Sequence, residues 1–406
     1  MFSKIILVVI GSLYSFGSLA QTADTSDNYD PLARLRVSGY VYQGYQKSTN
    51  NNYIGMSSSP LGSLENRELG VTADYNLANN VDIRLSAKIE QHGTEVVTSP
   101  EFNYFLIDAA ANINDTKIGL RVGKVRNIIG FYNATMENPV LRETDVAPQS
   151  IYREAWKHIL ISGLGYQVYT KITGLPYLDF DIDYSISEPV FSPKEDVLAG
   201  WFAATPTGYF DVNGSKLASV SVTAMTKDLS WVFRYDRYLL KAMYVSGIND
   251  FVQTGDYGVN ISVVGLRHYI KDFTITYEYA LIDPIADGWD TTALPGTLSS
   301  SYNLVVKYKA TSKLSYYLGH NRWYTNITDP NGEYASKVTG FSPEAFFYRD
   351  TNISLKYIAT RNWILKGSYH HITGAAVINN NDVNPQLLYN AAPTDRRMTL
   401  SVTYAF

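Results

Sequence analysis

Charged side chains spaced two residues apart are the first chemistry this chain offers. In Val81-Asp82-Ile83-Arg84-Leu85-Ser86-Ala87-Lys88-Ile89-Glu90, every even position is polar or charged and every odd one is apolar. On an extended backbone that spacing sends Asp82, Arg84 and Lys88 to one side. Lys117 and Arg121 repeat the pattern, and Lys307, Lys356, Lys366 and Arg397 occupy comparable polar phases. Asp82, Asp108, Asp179, Asp181, Asp183 and Glu278 supply the opposite sign. A lining of this kind makes and breaks no bonds. It sets up a field in water that sorts ions and polar solutes. A second concentration of charge lies in the long segment 127–157, which holds Glu137, Arg142, Glu143, Asp145, Arg153 and Glu154.

Other chemistries are weaker in this sequence. Asp179, Asp181 and Asp183 would form a carboxylate row, and carboxylate oxygens suit a hard cation such as Ca²⁺. No glycine turn or bidentate glutamate accompanies them, so a solvated mouth is the better reading. His92, His158, His268, His320, His370 and His371 show no zinc-helix spacing. Adjacent His370 and His371 would point to opposite faces of a strand. Serines are plentiful, but nothing marks a nucleophile. No catalytic residue, metal or cofactor is therefore expected. Tyr104, Tyr317 and Trp323 could stack against sugars, although packing and interfacial girdles account for most aromatics in so tyrosine-rich a chain.

The elements that position these charges are long alternating strands. Met398, Leu400, Val402, Tyr404 and Phe406 share one face, while Arg397, Thr399, Ser401 and Thr403 share the other. The pattern predicts strands over 35–46, 65–76, 81–92, 102–113, 116–126, 159–172, 179–188, 216–226, 229–246, 259–269, 273–282, 300–310, 314–324, 351–360, 363–372 and 396–406. The segment 229–246 is long and its apolar phase slips near Asp236-Arg237, which implies a bulge or a hidden hairpin. Most of these strands have the length of a membrane crossing, and aromatics gather near their ends. Short connections such as Asn114-Asp115 and Lys271-Asp272 alternate with long ones near 47–64, 127–157, 189–214, 283–299, 325–350 and 373–395. The expected fold is all-β: a transmembrane antiparallel β-barrel of about sixteen strands, with fourteen or eighteen as alternatives. Its short turns would be periplasmic and its long loops extracellular. A barrel of that size leaves an aqueous lumen, and arginine or lysine facing lipid near the midplane would cost about 2–4 kcal/mol, so the charged phase belongs inside.

Composition agrees with this architecture. The 406 residues include 33 Tyr, 16 Phe, 28 Gly and no Cys, so the fold is not stapled by disulfides. A net charge of -4 with scattered basic residues argues against nucleic acid as a partner. Residues 1–20 read as a signal peptide: Lys4, an apolar run over Ile5–Tyr14, and Ser18-Leu19-Ala20 before the expected cleavage. Residues 21–34 form a short polar segment, and 35–406 the barrel.

The end of the chain, Tyr404-Ala405-Phe406, resembles the terminal signal of outer-membrane barrels. With the leader and the strand count, the mature chain resembles the sixteen-strand general porins of Gram-negative bacteria. Gly123-Lys124-Val125-Arg126, leading into a long loop, is similar to proteobacterial porin-like proteins. The resemblance implies passive diffusion of small hydrophilic solutes across the outer membrane. It implies insertion by the barrel-insertion machinery, contact with outer-membrane lipids and lipopolysaccharide, and a homotrimer. It also implies that the loop after the fifth strand folds into the lumen, so that Glu137, Glu143 and Asp145 face a basic wall of Arg84, Arg121 and Arg397. Arg142, Lys88 and Lys366 complete the expected constriction. Alternatives are a channel specific for sugars or small anions, and a non-conducting receptor or adhesin barrel.

Overall fold

The computed structural model describes residues 34–93, 95–96, 100–153, 161–189, 208–248, 254–287, 298–377 and 392–406. The expected leader, nearly all of 21–34, Glu154 and His158 lie outside the described residues.

Every expected strand has a counterpart. On the first side of the chain these are β1 Leu35–Ser48, β2 Ser63–Ala78, β3 Val81–His92, a two-residue β4 Glu95–Val96, β5 Glu101–Ile113 and β6 Thr116–Arg126. Then come β7 Ser162–Ile172, β8 Leu178–Pro189, β9 Tyr209–Thr226, β10 Trp231–Val245, β11 Gly255–Ile270 and β12 Phe273–Asp287. The last are β13 Ser299–Lys309, β14 Leu314–Tyr324, β15 Phe347–Ile358, β16 Trp363–Thr373 and β17 Thr394–Ala405.

Apart from the small β4, the strands form sixteen staves, each antiparallel to its neighbours. Tyr40 pairs with Ala405 and Ser48 with Arg397, so the first and last staves close the barrel. Closure removes the sheet edge, which would otherwise leave unpaired N–H and C=O groups without water in a bilayer. The two-residue turns at Asn114 and Lys271 start with left-handed residues (φ 52° and 51°), a conformation that favours tight hairpins between twisted strands.

Burial follows the two-residue period. On β17, Asp395, Arg397, Thr399, Ser401 and Thr403 are buried inside, whereas Met398 and Leu400 are exposed outside at 38% and 49%. Several strands run further than expected at their long-loop ends. β9 begins at Tyr209 and β12 reaches Asp287. Beyond the lipid band an outer face no longer has to be apolar, so alternation stops marking the strand although the ladder continues.

The β10 region is a single strand, with neither a hairpin nor a slip at Asp236-Arg237. Asp236, Tyr238, Leu240, Ala242 and Tyr244 all lie on the buried inner phase. The irregularity sits instead in its pairing with β9, between Lys241 and Met243. The apparent slip arises because the inside of the barrel changes from polar to apolar at that height. Tyr238 and Leu240 join Ile129, Tyr132, Met136, Ile151 and Tyr152 of the long segment after β6, together with Leu217, Val263 and Val305 of the wall. A hydrophobic core therefore lies inside the barrel, against β9–β14.

Candidate functional site

The segment after β6 turns into the lumen and is locked there in two stages. The first stage is polar bonding to β10 and β12. Gly130 N donates to Asp236 Oδ2 at 2.8 Å, and Phe131 N donates to Glu278 Oε1 at 2.6 Å. Tyr152 Oη donates to the same Glu278 oxygen at 2.5 Å, and Asn303 Nδ2 donates to Glu278 Oε2 at 3.0 Å. Gly130 has φ +57°, and a Cβ there would stand 1.8 Å from Tyr152 Oη. Only glycine fits that approach. The Arg267 guanidinium lies 4.3 Å from the Phe131 ring centre, a cation–π contact. Burial raises the phenol pKa of Tyr132 and Tyr152 above the ordinary tyrosine range; Glu143 and then Glu278 add to the Tyr132 shift, and Glu278 to that of Tyr152.

The second stage pins the far part of the loop to the opposite wall. A one-turn helix, Asn133–Met136, leads to Glu137. Glu137 Oε2 lies 3.4 Å from Lys88 Nζ, which also pairs with Glu90 at 2.8 Å. Arg142 approaches Glu68 at 3.8 Å, and Tyr42 Oη donates to Asp145 Oδ1 at 2.9 Å. Glu143 meets Lys307 at 3.0 Å. Two lysines bind loop carbonyls: Lys356 Nζ donates to Val140 and Arg142 at 3.0 and 3.1 Å, and Lys366 Nζ to Pro139 and Thr144 at 2.7 and 3.3 Å. The loop thus reaches from β10–β13 across to β1–β3 and to β15–β16.

The charges are wired differently from the expected arrangement. The acids of the loop meet Lys88 and Lys307, while Arg84 and Arg121 belong to another cluster. Arg84 pairs with Asp82 at 3.1 Å and Asp108 at 3.3 Å. Arg121 pairs with Asp108 at 3.1 Å, reaches Asp183 at 4.0 Å and lies over the Tyr169 ring at 4.2 Å. Arg84 and Arg121 keep 38% and 21% side-chain exposure, against 2% for Lys88. Arg397 is buried against the Tyr53 ring, 4.8 Å away, with Nη2 3.3 Å from His370 Nδ1. The reason is height along the wall: on β3 Lys88 stands level with the loop, whereas Arg84 lies four residues nearer the short-turn end, where it and Arg121 of β6 share Asp108. The expected carboxylate row is also paired, Asp179 to Lys227, Asp181 to Lys171 at 3.0 Å and Asp183 to Arg121.

A chain of polar groups escaped the sequence reading. Asp350 Oδ2 lies 2.9 Å from His370 Nδ1, and His370 Nε2 lies 2.9 Å from Ser368 Oγ. Ser368 and His370 sit two apart on β16, and Asn352, two residues after Asp350, is the cross-strand partner of His370. The spacing is readable in the sequence, but the register that brings Asp350 alongside is not. Ser368 Oγ also bonds Thr399 Oγ1 at 2.5 Å, and Asp350 accepts from Tyr348, Asn321 and Asn352.

No family model and no curated protein matches this chain. Solved outer-membrane barrels share its fold. The anion-selective porin from Comamonas acidovorans aligns over 92% of this chain and 99% of its own, with a TM-score of 0.54 and 9% identity. OmpT of Vibrio cholerae aligns over 92% and 97%, with a TM-score of 0.53 and 10% identity. Its trimer form aligns over 92% and 99%, with a TM-score of 0.53 and 11% identity.

Proposed function

We propose that this outer-membrane-type barrel is a passive channel for small hydrophilic solutes, which cross beside the infolded loop and past Arg84 and Arg121. One observation carries this reading: a loop pinned across a closed sixteen-stave barrel leaves these two arginines partly exposed, nearer the short-turn end than the level at which it meets Lys88. The mechanism is size exclusion combined with the local field of Arg84, Arg121, Asp82, Asp108 and Asp183. Constriction residues in this scheme are Glu137, Arg142, Glu143, Asp145, Lys88 and Lys366 on the loop side. Planar-bilayer recording tests it. Ohmic steps with weak ion preference support a general channel. Block by one solute class at low concentration would support a specific channel, a reading favoured by how much wall the loop covers. Absence of conductance in well-folded protein would sink both and leave a receptor or adhesin.

The same reading includes export through the leader, outer-membrane insertion through the last strand, and a homotrimer. Small outward residues Ala109 and Ala111 on β5 would let neighbouring walls approach closely. Catalysis is not part of it. Ser368 is buried, its hydroxyl is shared with Thr399, and Arg397 stands beside the His370 nitrogen that faces Asp350. This arrangement serves the wall as a hydrogen-bond network.

A further inference from the structure

Charge is not balanced around the inner wall. On β3–β8 the lumen-facing acids and bases pair: Asp82 and Asp108 with Arg84, Asp108 also with Arg121, Asp181 with Lys171 and Asp179 with Lys227. On β11–β16 cations dominate. Arg267, Lys307, Lys356 and Lys366 lie on the inward phase: Arg267 stands opposite Thr276, Lys307 opposite Thr274 and Tyr317, and Lys356 opposite Lys366. The inward carboxylates of these staves, Glu278 and Asp350, sit nearer the long-loop end. There Glu278 anchors the loop and Asp350 faces His370.

The three lysines converge on three consecutive loop residues. Lys356 Nζ donates to the Arg142 carbonyl at 3.1 Å, Lys307 Nζ meets Glu143 Oε1 at 3.0 Å, and Lys366 Nζ donates to the Thr144 carbonyl at 3.3 Å. Lys356 and Lys366 also face each other directly across their staves, where like charges repel. Among the described residues, Glu143 is the one carboxylate paired with this group. Lys356 and Lys366 meet loop carbonyls instead, and Arg267 donates to Thr276 Oγ1 at 3.0 Å.

Water reaches the Glu143–Lys307 pair. Their side chains are 26% and 27% exposed, so the carboxylate can leave and return. One inward position from Lys356, the buried Ser354 Oγ has no partner and offers a further donor. A solute with one carboxylate merely replaces Glu143. A solute with two or three replaces it and also neutralises a second lysine. Ammonium groups on flexible stems follow carboxylates spread over a small molecule, whereas the fork of arginine is the better match to a phosphate.

We propose that Glu143 is an internal stand-in for a solute carboxylate, and that Lys307, Lys356 and Lys366 bind small di- and tricarboxylates on the β13–β16 wall of the lumen. The inference rests on the channel reading, because a solute reaches Glu143 only through an aqueous lumen.

Isothermal titration calorimetry of the folded protein in neutral detergent, with citrate as the probe, tests the proposal. Citrate is expected to bind, and acetate and inorganic phosphate to bind more weakly. Glu143→Gln removes the competing carboxylate and should tighten citrate binding about fivefold, the scale of a partly exposed ion pair. Lys307→Gln with Lys356→Gln should weaken it about tenfold or more, since charge-assisted bonds are the strong class. Lys307→Gln alone, which leaves the lysine bonds to the loop carbonyls in place, should weaken it in the same direction. Each variant is first shown to be folded by heat-modifiable migration. Unchanged or weaker binding in Glu143→Gln, or unchanged binding in the lysine variants, overturns the proposal. Loss of citrate binding in Arg84→Gln with Arg121→Gln, but not in the lysine variants, overturns it in favour of the arginine cluster. Phosphate binding as tightly as citrate overturns the carboxylate assignment. Conductance in potassium chloride is read on the same preparations. A conducting parent that binds no citrate loses the site alone, whereas a parent that binds citrate without conducting keeps the site and loses the channel reading.

Discussion

Glu278 is the most heavily used residue of the loop anchor, accepting from Phe131 N, Tyr152 Oη and Asn303 Nδ2. Glu278→Ala leaves those donors without a partner inside the barrel, which costs about 1–3 kcal/mol per buried group. The expected outcome is a mobile loop, read as increased open-channel noise with the strand content of the circular dichroism spectrum unchanged. Arg84→Glu together with Arg121→Glu reverses the exposed charge beside the loop. The reversal potential in a salt gradient should shift toward cation preference, and an unchanged potential would remove these residues from the solute path. Ser368 makes the opposite kind of prediction: a fluorophosphonate probe should leave it unlabelled, because its hydroxyl is buried and doubly bonded. Labelling at Ser368 would reopen the question of hydrolysis.

The loop after β6 behaves as an element with its own core and its own anchors. Gly130→Ala places a methyl group against Tyr152 Oη and Glu278 Oε1 at a left-handed φ. It should displace the loop's first turn and raise single-channel conductance while the barrel stays closed. The buried tyrosines give this element a pH limit. Tyr132 and Tyr152 have pKa values raised by burial and by nearby carboxylates. A raised pKa means that the docked loop keeps its phenol protons after a released loop would lose them. Docking is therefore fully stable below about pH 10, the ordinary tyrosine value, and weakens as pH rises beyond it. Conductance recorded from neutral to alkaline pH should rise only above that point. A rise already complete near neutrality would show that these phenols do not hold the loop.

At the scale of the whole molecule, the barrel and its contents are stabilised in different ways. The wall is a closed ladder with apolar residues outside, so no backbone edge is left to pair elsewhere. The contents are a hydrophobic core on the β9–β14 side, the buried Lys88–Glu137 pair on the β3 side, and a half-buried Lys307–Glu143 pair with lysine-to-carbonyl bonds on the β13–β16 side. Removing one partner of a buried pair, as in Lys88→Met, takes the ammonium charge away from Glu137 and Glu90 and should cost up to about 3–5 kcal/mol. The loss would appear as a lower unfolding midpoint in detergent.

Much of this protein was legible in the sequence because strand periodicity is a local property. A side chain two residues along points to the same face whatever surrounds it, so the staves, the inner position of Arg397 and the outer position of Met398 followed from alternation. The one apparent failure, the phase slip in β10, was a true signal misread: apolar residues on the inner face mark where the loop packs, not where the strand breaks. The tertiary structure alone decided which charges meet. Glu137 finds Lys88 and Glu143 finds Lys307, while Arg84 and Arg121 turn to Asp108, because pairing depends on stave order around the barrel and on the path of one loop through its interior. Those are long-range distances, and no spacing along the chain encodes them.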